Sequence, residues 1–261
     1  MDRPIGIFDS GVGGLTVLDS LRKQLPQENL IYIGDNLHCP YGNKTKEQLL
    51  SYTKQICQYF ISKNVKMIVL ACNTTSANVL NELQILFPNV PIVGVINSTV
   101  HDFLVQDKKN VLVIATHATI QSHKYKEMIE KYNQSIHVFE LETPQLVPLI
   151  ESGEYKKGIY SVLNDYLSVY KNDIDSLILG CTHYPIVLNQ IMEVLGDKTY
   201  ISSSHAISQE VYSYLKVHNQ LNTCSKKALI QIYTTGDVHD FIYSSSDFFD
   251  FTNLEVKHLI L

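Results

Sequence analysis

The sequence predicts an α/β protein of two similar domains, each with a mainly parallel sheet flanked by helices, and a site in the cleft between them. Three observations carry this prediction. Short apolar, β-branched runs alternate with longer amphipathic stretches along all 261 residues. One strand–cysteine–helix phrase occurs twice, as Lys66-Met67-Ile68-Val69-Leu70-Ala71-Cys72-Asn73-Thr74-Thr75 and Asp175-Ser176-Leu177-Ile178-Leu179-Gly180-Cys181-Thr182-His183-Tyr184. Finally, no Pro/Gly/Ser-rich linker divides the two halves, so two abutting units are expected.

In order, Ile5–Phe8 reads as a strand opening into Gly11-Val12-Gly13-Gly14, followed by a helix over Leu15–Gln24. Leu30–Ile33 is a second strand, and a loop through Cys39-Pro40-Tyr41-Gly42 leads to a helix over Lys46–Ser62. Met67–Leu70 is a strand, Thr75–Leu86 a helix, and Ile92–Val95 a fourth strand with β-branched content suited to burial. The stretch Val95–Thr99 reads as the least helical joint. Beyond it, Val111–Ile114 is a strand and a helix runs to about Tyr132. His137–Leu141 is a strand, with helical segments over Pro144–Ser152 and Tyr155–Tyr170. Leu177–Leu179 is the strand before the second cysteine, Pro185–Leu195 its helix, and Tyr200-Ile201 a further strand. The tail reads as a helix over Ile207–Val217, a strand over Ala228–Tyr233, a turn at Thr235-Gly236-Asp237 and a last strand near Val256–Leu259.

Composition narrows the function. With 45% hydrophobic and 18% charged residues the chain has globular composition. The net charge is −5, the scattered basic residues include only two arginines, Arg3 and Arg22, and no basic stripe suits nucleic acid. No apolar run is long enough to span a bilayer, and Met1-Asp2-Arg3-Pro4 leads directly into a strand, so a cytoplasmic protein without membrane partners is expected. An anionic ligand would be held by backbone N–H groups and Ser, Thr or Asn side chains instead of arginine forks. The cysteines Cys39, Cys57, Cys72, Cys181 and Cys224 are odd in number and lack CxxC spacing, which argues against a disulfide framework or a zinc site.

Cys72 and Cys181 are the leading candidates for chemistry. Each ends a strand and precedes a helix, a place where a helix dipole is expected to lower the thiol pKa. The bland alternative is a small buried residue closing a strand, and that reading is kept for Cys39, Cys57 and Cys224. Asp9-Ser10-Gly11-Val12-Gly13-Gly14 forms a strand–loop–helix turn whose glycines let backbone approach a ligand, though it is not a dinucleotide-binding GxGxxG. His183 stands two residues from Cys181 and can assist it. Glu151, after Leu146-Val147-Pro148-Leu149-Ile150, reads from spacing alone as a solvated helix charge.

These motifs resemble those of the glutamate racemases, within the aspartate/glutamate racemase family. The resemblance runs through Phe8-Asp9-Ser10-Gly11-Val12-Gly13-Gly14-Leu15-Thr16-Val17-Leu18, Pro40-Tyr41-Gly42, Ala71-Cys72-Asn73-Thr74, Val93-Gly94-Val95-Ile96, Val147-Pro148-Leu149-Ile150-Glu151 and Gly180-Cys181-Thr182-His183-Tyr184-Pro185. It implies cofactor-independent racemisation of glutamate for peptidoglycan synthesis, with Cys72 taking the α-proton of D-glutamate and Cys181 protonating the opposite face. It further implies that Asp9 supports the first thiol and His183 the second, with Glu151 near the site. Asp9, Ser10, Tyr41, Gly42, Asn73, Thr74, Thr182 and His183 match substrate-binding positions, joined by Thr116 and Thr119. By similarity the first domain is residues 1–97 with 207–261, the second is 98–206, and a homodimer is expected. Activation by a peptidoglycan precursor is not expected. Asn97-Ser98, Thr143 and Ser202-Ser203-Ser204 depart from the family pattern without touching either thiol.

Racemisation suits two thiols on chemical grounds. One base must be deprotonated while the other carries a proton, and modest pKa shifts let thiols occupy both states near neutrality. Racemisation of aspartate or another small acid on the same scaffold, and a binding protein without turnover, remain alternative readings. Intact Cys72, Cys181, Asp9 and His183 weigh against the last.

Overall fold

The computed structural model describes residues 2–223 and 227–261, so Cys224 lies outside the described residues. The chain runs β1 (Ile5–Asp9), α1 (Leu15–Gln24), β2 (Leu30–Gly34), α2 (Lys46–Ser62), β3 (Met67–Leu70), α3 (Asn73–Asn78), α4 (Leu80–Leu86) and β4 (Ile92–Gly94). It continues through α5 (Val95–Leu104), β5 (Asn110–Ala115), α6 (His117–Gln121), α7 (Lys124–Tyr132), β6 (His137–Glu142), α8 (Leu146–Glu151) and α9 (Tyr160–Leu167). The remainder is β7 (Ser176–Gly180), α10 (Leu188–Leu195), β8 (Thr199–Ser202), α11 (Ser203–Val217), β9 (Ile230–Thr234), α12 (Val238–Ser245) and β10 (Val256–His258).

Among the described residues every strand pairing is parallel. The first sheet has the order β10-β9-β2-β1-β3-β4 and the second β6-β5-β7-β8. The segments β2-β1-β3-β4 and β6-β5-β7-β8 therefore share one topology, and β3 and β7, which lead to the two cysteines, are equivalent strands. In each case the chain reverses its winding beside the first strand. Such a switch point opens a crevice beyond the carboxyl ends of the strands, the usual ligand position in this architecture. Alternate strand residues feed apolar clusters on opposite sheet faces. Ile5, Ile7, Met67 and Val69 pack with Leu18, Ile207 and Val211, whereas Ile31, Ile33, Ile68 and Leu70 pack with Ile56 and Phe60.

Several elements differ from the sequence-based expectation. Val95–Thr99 is not a joint, because α5 begins at Val95. Val95, Ile96, Thr99, Val100 and Phe103 form a buried helical stripe that their β-branched content disguised. The helix expected over Thr75–Leu86 starts earlier, at Asn73, and is interrupted at Val79, whose φ of −134° leaves the helical region. The helix expected over Tyr155–Tyr170 is broken by Gly158 at φ 132°, a conformation that favours glycine. The helix expected to reach Tyr132 is divided at His123, φ 49°. Unanticipated α12 is capped by Asp237, whose carboxylate accepts from the backbone N–H groups of His239 and Asp240. The helices α5 and α11 carry the chain from the first sheet to the second and back.

The return of the chain to the first sheet is fastened by a buried ion pair. Lys66 Nζ lies 2.6 Å from Glu28 Oε2 and donates to the Gln220 carbonyl, while Glu28 Oε1 accepts from the Asn222 N–H at 2.7 Å. Removing one partner leaves an uncompensated buried charge. Lys66→Met is expected to cost about 3–5 kcal/mol in the unfolding free energy, measured by urea denaturation.

Candidate active site

The turn after β1 holds the site together. Asp9, fully buried, accepts through Oδ2 from the N–H groups of Gly11 at 3.2 Å and Gly14 at 2.9 Å. Its other oxygen accepts from the Thr182 hydroxyl, beyond β7, at 3.1 Å. Burial pushes the Asp9 carboxyl above its ordinary value, against the opposing pull of His183 and the two backbone donors. The glycines are required by contact. A Cβ on Gly11 would overlap the Glu151 carboxylate, and one on Gly13 would stand 2.5 Å from His183 Nδ1 and 2.6 Å from Thr182 Oγ1.

Across this turn lies the Cys181 centre. Cys181 Sγ is 3.5 Å from His183 Nδ1, and His183 Nε2 is 2.5 Å from Glu151 Oε1. The same Glu151 oxygen accepts from the Val12 N–H at 2.8 Å, and Oε2 accepts from Asn36 Nδ2 at 3.0 Å. Glu151 is thus not the solvated helix charge that spacing suggests. It stands at the end of α8, half-buried, with three partners. Burial by itself would lower the His183 pKa, but the adjacent Cys181 and Glu151 outweigh it and hold the imidazole well above its ordinary value.

The Cys72 centre is built differently. Cys72 precedes α3, and its Sγ lies 3.7 Å from Ser10 Oγ, to which it donates. Burial and the negative charge of Asp9 push the thiol up to about 11, so the lowering expected from the helix start is overridden. The six-residue α3 supplies too little field to offset desolvation of the thiolate. Asn73 is gripped through Oδ1 by the Tyr125 hydroxyl at 2.6 Å and the Ser203 hydroxyl at 3.4 Å. Thr74 Oγ1 is 2.8 Å from Thr116 Oγ1, which is 3.0 Å from Thr119 Oγ1, so one buried hydroxyl cluster joins the ends of β3 and β5. Gly42 abuts it, since a Cβ there would lie 2.7 Å from Thr116 Cβ. Tyr41 is buried in the cluster that contains Cys72, but its hydroxyl is taken by Asp35 at 2.5 Å.

Pro40, Gly42 and Asn43 face Thr116, Thr143 and Pro148 across a seam whose pocket has a volume of about 20 Å³. That holds a single water and not an amino acid. Among the described residues no cluster of His, Cys, Asp or Glu has a metal-binding arrangement, and no helix is long and apolar enough to cross a membrane.

Residues 6–211 match the family model described as Asp/Glu/Hydantoin racemase. The chain is 39% identical to the glutamate racemase of Oceanobacillus iheyensis, over 98% of this chain and 95% of the relative. The chain belongs to the aspartate/glutamate racemase family. Among solved structures, a glutamate racemase isoform from Bacillus anthracis superposes with TM-score 0.91 at 32% identity, covering 99% of this chain and 98% of that one. The Francisella tularensis glutamate racemase, solved in complex with D-glutamate, gives TM-score 0.90 at 36% identity, covering 100% and 98%.

The nominated residues fall into two linked groups. Asp9, Ser10, Cys72, Thr182, His183 and Glu151 are linked by contacts across the turn, and Thr74, Thr116 and Thr119 share the hydroxyl cluster. Sequence reasoning missed Asn36, Tyr125 and Ser203, which touch the nominated residues but stand outside the cysteine phrases. Cys39 is half-buried and packs against the apolar cluster of the second sheet, in keeping with the structural reading given to it. The Gly34-Asp35-Asn36 strand end was the available signal for Asn36. Because the thiolate is the reactive form, alkylation of Cys72 in the free protein should quicken about tenfold per pH unit between pH 7 and 9. Peptide mass spectrometry after timed iodoacetamide treatment measures this, and a plateau already reached at pH 8 would contradict the elevated pKa.

Proposed function

We propose that this protein is a glutamate racemase that interconverts L- and D-glutamate by a cofactor-independent, two-base thiol mechanism and supplies D-glutamate for peptidoglycan. The observation that carries the reading is the pair of buried cysteines at equivalent strand ends of two like sheets, each with its own polar helpers. The names of the full-length relatives, and the D-glutamate bound by the Francisella tularensis enzyme, support glutamate as substrate.

In this mechanism Cys72 removes the α-proton of D-glutamate and Cys181 delivers a proton to the opposite face, with the roles exchanged for L-glutamate. When Cys181 gives up its proton, the charge left on sulfur faces a His183 imidazole held protonated by its surroundings. Cys72, with its elevated pKa, rests as a thiol and is ready to act as the acid that completes L-glutamate conversion. In the reverse direction it acts as the base, with Asp9 its supporting group and the Ser10 hydroxyl beside its sulfur. The intermediate has carbanion character next to a carboxylate. The Asn73 amide, the hydroxyls of Thr74, Thr116, Thr119 and Thr182, and strand-end N–H groups stabilise its added charge. Gly42 shapes the wall opposite Thr116, and Tyr41 precedes it in the same loop. Because the seam pocket is smaller than an amino acid, substrate enters when Pro40–Asn43 part from the 143–148 segment.

The division into 1–97 with 207–261 and 98–206 belongs to the same proposal and is supported by the membership of the two sheets. A homodimer is proposed from the family resemblance.

Purified protein incubated in D₂O with either glutamate enantiomer, without added cofactor, should lose optical rotation and gain α-deuterium. No rotation change and no exchange would overturn the reading, and turnover of aspartate in preference to glutamate would redirect it. Replacing Cys72 or Cys181 by Ala should lower kcat for racemisation by at least about 10³-fold, since one face then lacks its acid or base. A variant that still racemises normally would remove its cysteine from the mechanism.

A further inference from the structure

We propose that Asn36 is a positioning residue for the Cys181 centre: from the end of the second strand it sets the Glu151 carboxylate, and through it the His183 imidazole that faces Cys181. The inference rests on the Cys181–His183 reading above. Asn36 Nδ2 donates to Glu151 Oε2 at 3.0 Å, and Asn36 Oδ1 accepts from the Thr234 hydroxyl at 3.1 Å. The amide orientation follows from these partners. A carboxylate only accepts, so the NH₂ must face Glu151, and Thr234, whose oxygen already accepts from the Gly236 N–H, is left to donate.

The side chain has little room to do anything else. A Cβ on Gly34 would lie 2.9 Å from Asn36 Oδ1, and one on Gly236 would lie 2.9 Å from Asn36 Cβ. Asn36 is therefore held between two glycines on the first sheet and reaches α8 on the far side of the cleft. Glu151 Oε1 is divided between the Val12 N–H and His183 Nε2, so Oε2 is the oxygen left to fix the rotation of the carboxylate. With Asn36 in place, both oxygens are engaged and Oε1 stays pointed at His183. His183 Nε2 is then committed to Glu151, and its Nδ1 is the atom presented to Cys181 and Thr182. The charged or titratable groups facing His183 are Cys181, Glu151 and Asp9.

Two variants separate positioning from packing. Asn36→Ala removes the donor and the volume, and Asn36→Leu removes the donor and keeps the volume, so an effect common to both is that of the lost hydrogen bond. Each is expected to lower kcat/KM for glutamate about tenfold or more, the usual worth of a hydrogen bond to a charged group. The rate of Cys181 alkylation at pH 7, read on its own peptide by mass spectrometry, is expected to fall about tenfold in both variants as His183 loses its support. In a Glu151→Gln background the same Asn36 substitutions should change either readout less than about twofold, because the path through the carboxylate is already broken. Two results would overturn the proposal: an unchanged Cys181 alkylation rate in both variants, whatever their melting temperature, or equal effects with and without Glu151. If the wild-type protein fails to racemise glutamate while the Cys181 alkylation rate still falls in the variants, the proposed function falls and the positioning role stands.

Discussion

The constraint on which this structure depends is the close approach of the Asp9–Gly14 turn to the groups beyond β7 and α8. Where the turn passes Glu151, Thr182 and His183 there is no space for a Cβ. Only because positions 11 and 13 are glycine can the Val12 N–H meet Glu151 and Asp9 meet Thr182. Around that contact the rest is organised. The Tyr32 hydroxyl, at the center of the first sheet, donates to the Gly11 carbonyl at 2.6 Å and holds the turn from beneath. The Thr16 hydroxyl, one helical turn on, reaches the Thr182 carbonyl. Two sheets with separate cores are thereby joined through hydrogen-bonded polar groups at their strand ends.

Equivalent topology has produced unequal chemistry. Cys72 and Cys181 follow corresponding strands, yet one thiol sits among Phe8, Tyr41 and Leu70 with a serine as its polar neighbour, and the other sits against an imidazole backed by a carboxylate. Desolvation dominates at the first sulfur, whereas charge compensation is available at the second.

The fold was legible where pattern and burial agree. The strands β1, β2, β3, β5 and β7 are short apolar runs buried on both faces, and α1 and α2 carry clear amphipathic spacing, so local sequence predicts each of them closely. It was misleading where composition and packing disagree. The start of α5 is rich in β-branched residues suited to a strand, but its buried stripe faces α7 and α11, and tertiary contact overrides propensity. At Cys72 the strand-to-helix junction was correctly placed, but the helix is short and the site dry, so the sign of the pKa shift was reversed. Glu151 looked like a surface charge because helical spacing reports the face of a helix and not what the opposite sheet brings to it.

By itself the sequence determined the repeated strand–cysteine unit, the glycine turn and, through its resemblance, the reaction class, because all three are properties of contiguous residues. Only the tertiary structure decided how those units face each other. Glu151 is 115 positions from Asn36 and 139 from Val12, and Thr182 is 173 from Asp9. No local pattern encodes such pairings. They arise when two cores close on one another and each buried polar atom must find a partner across the gap.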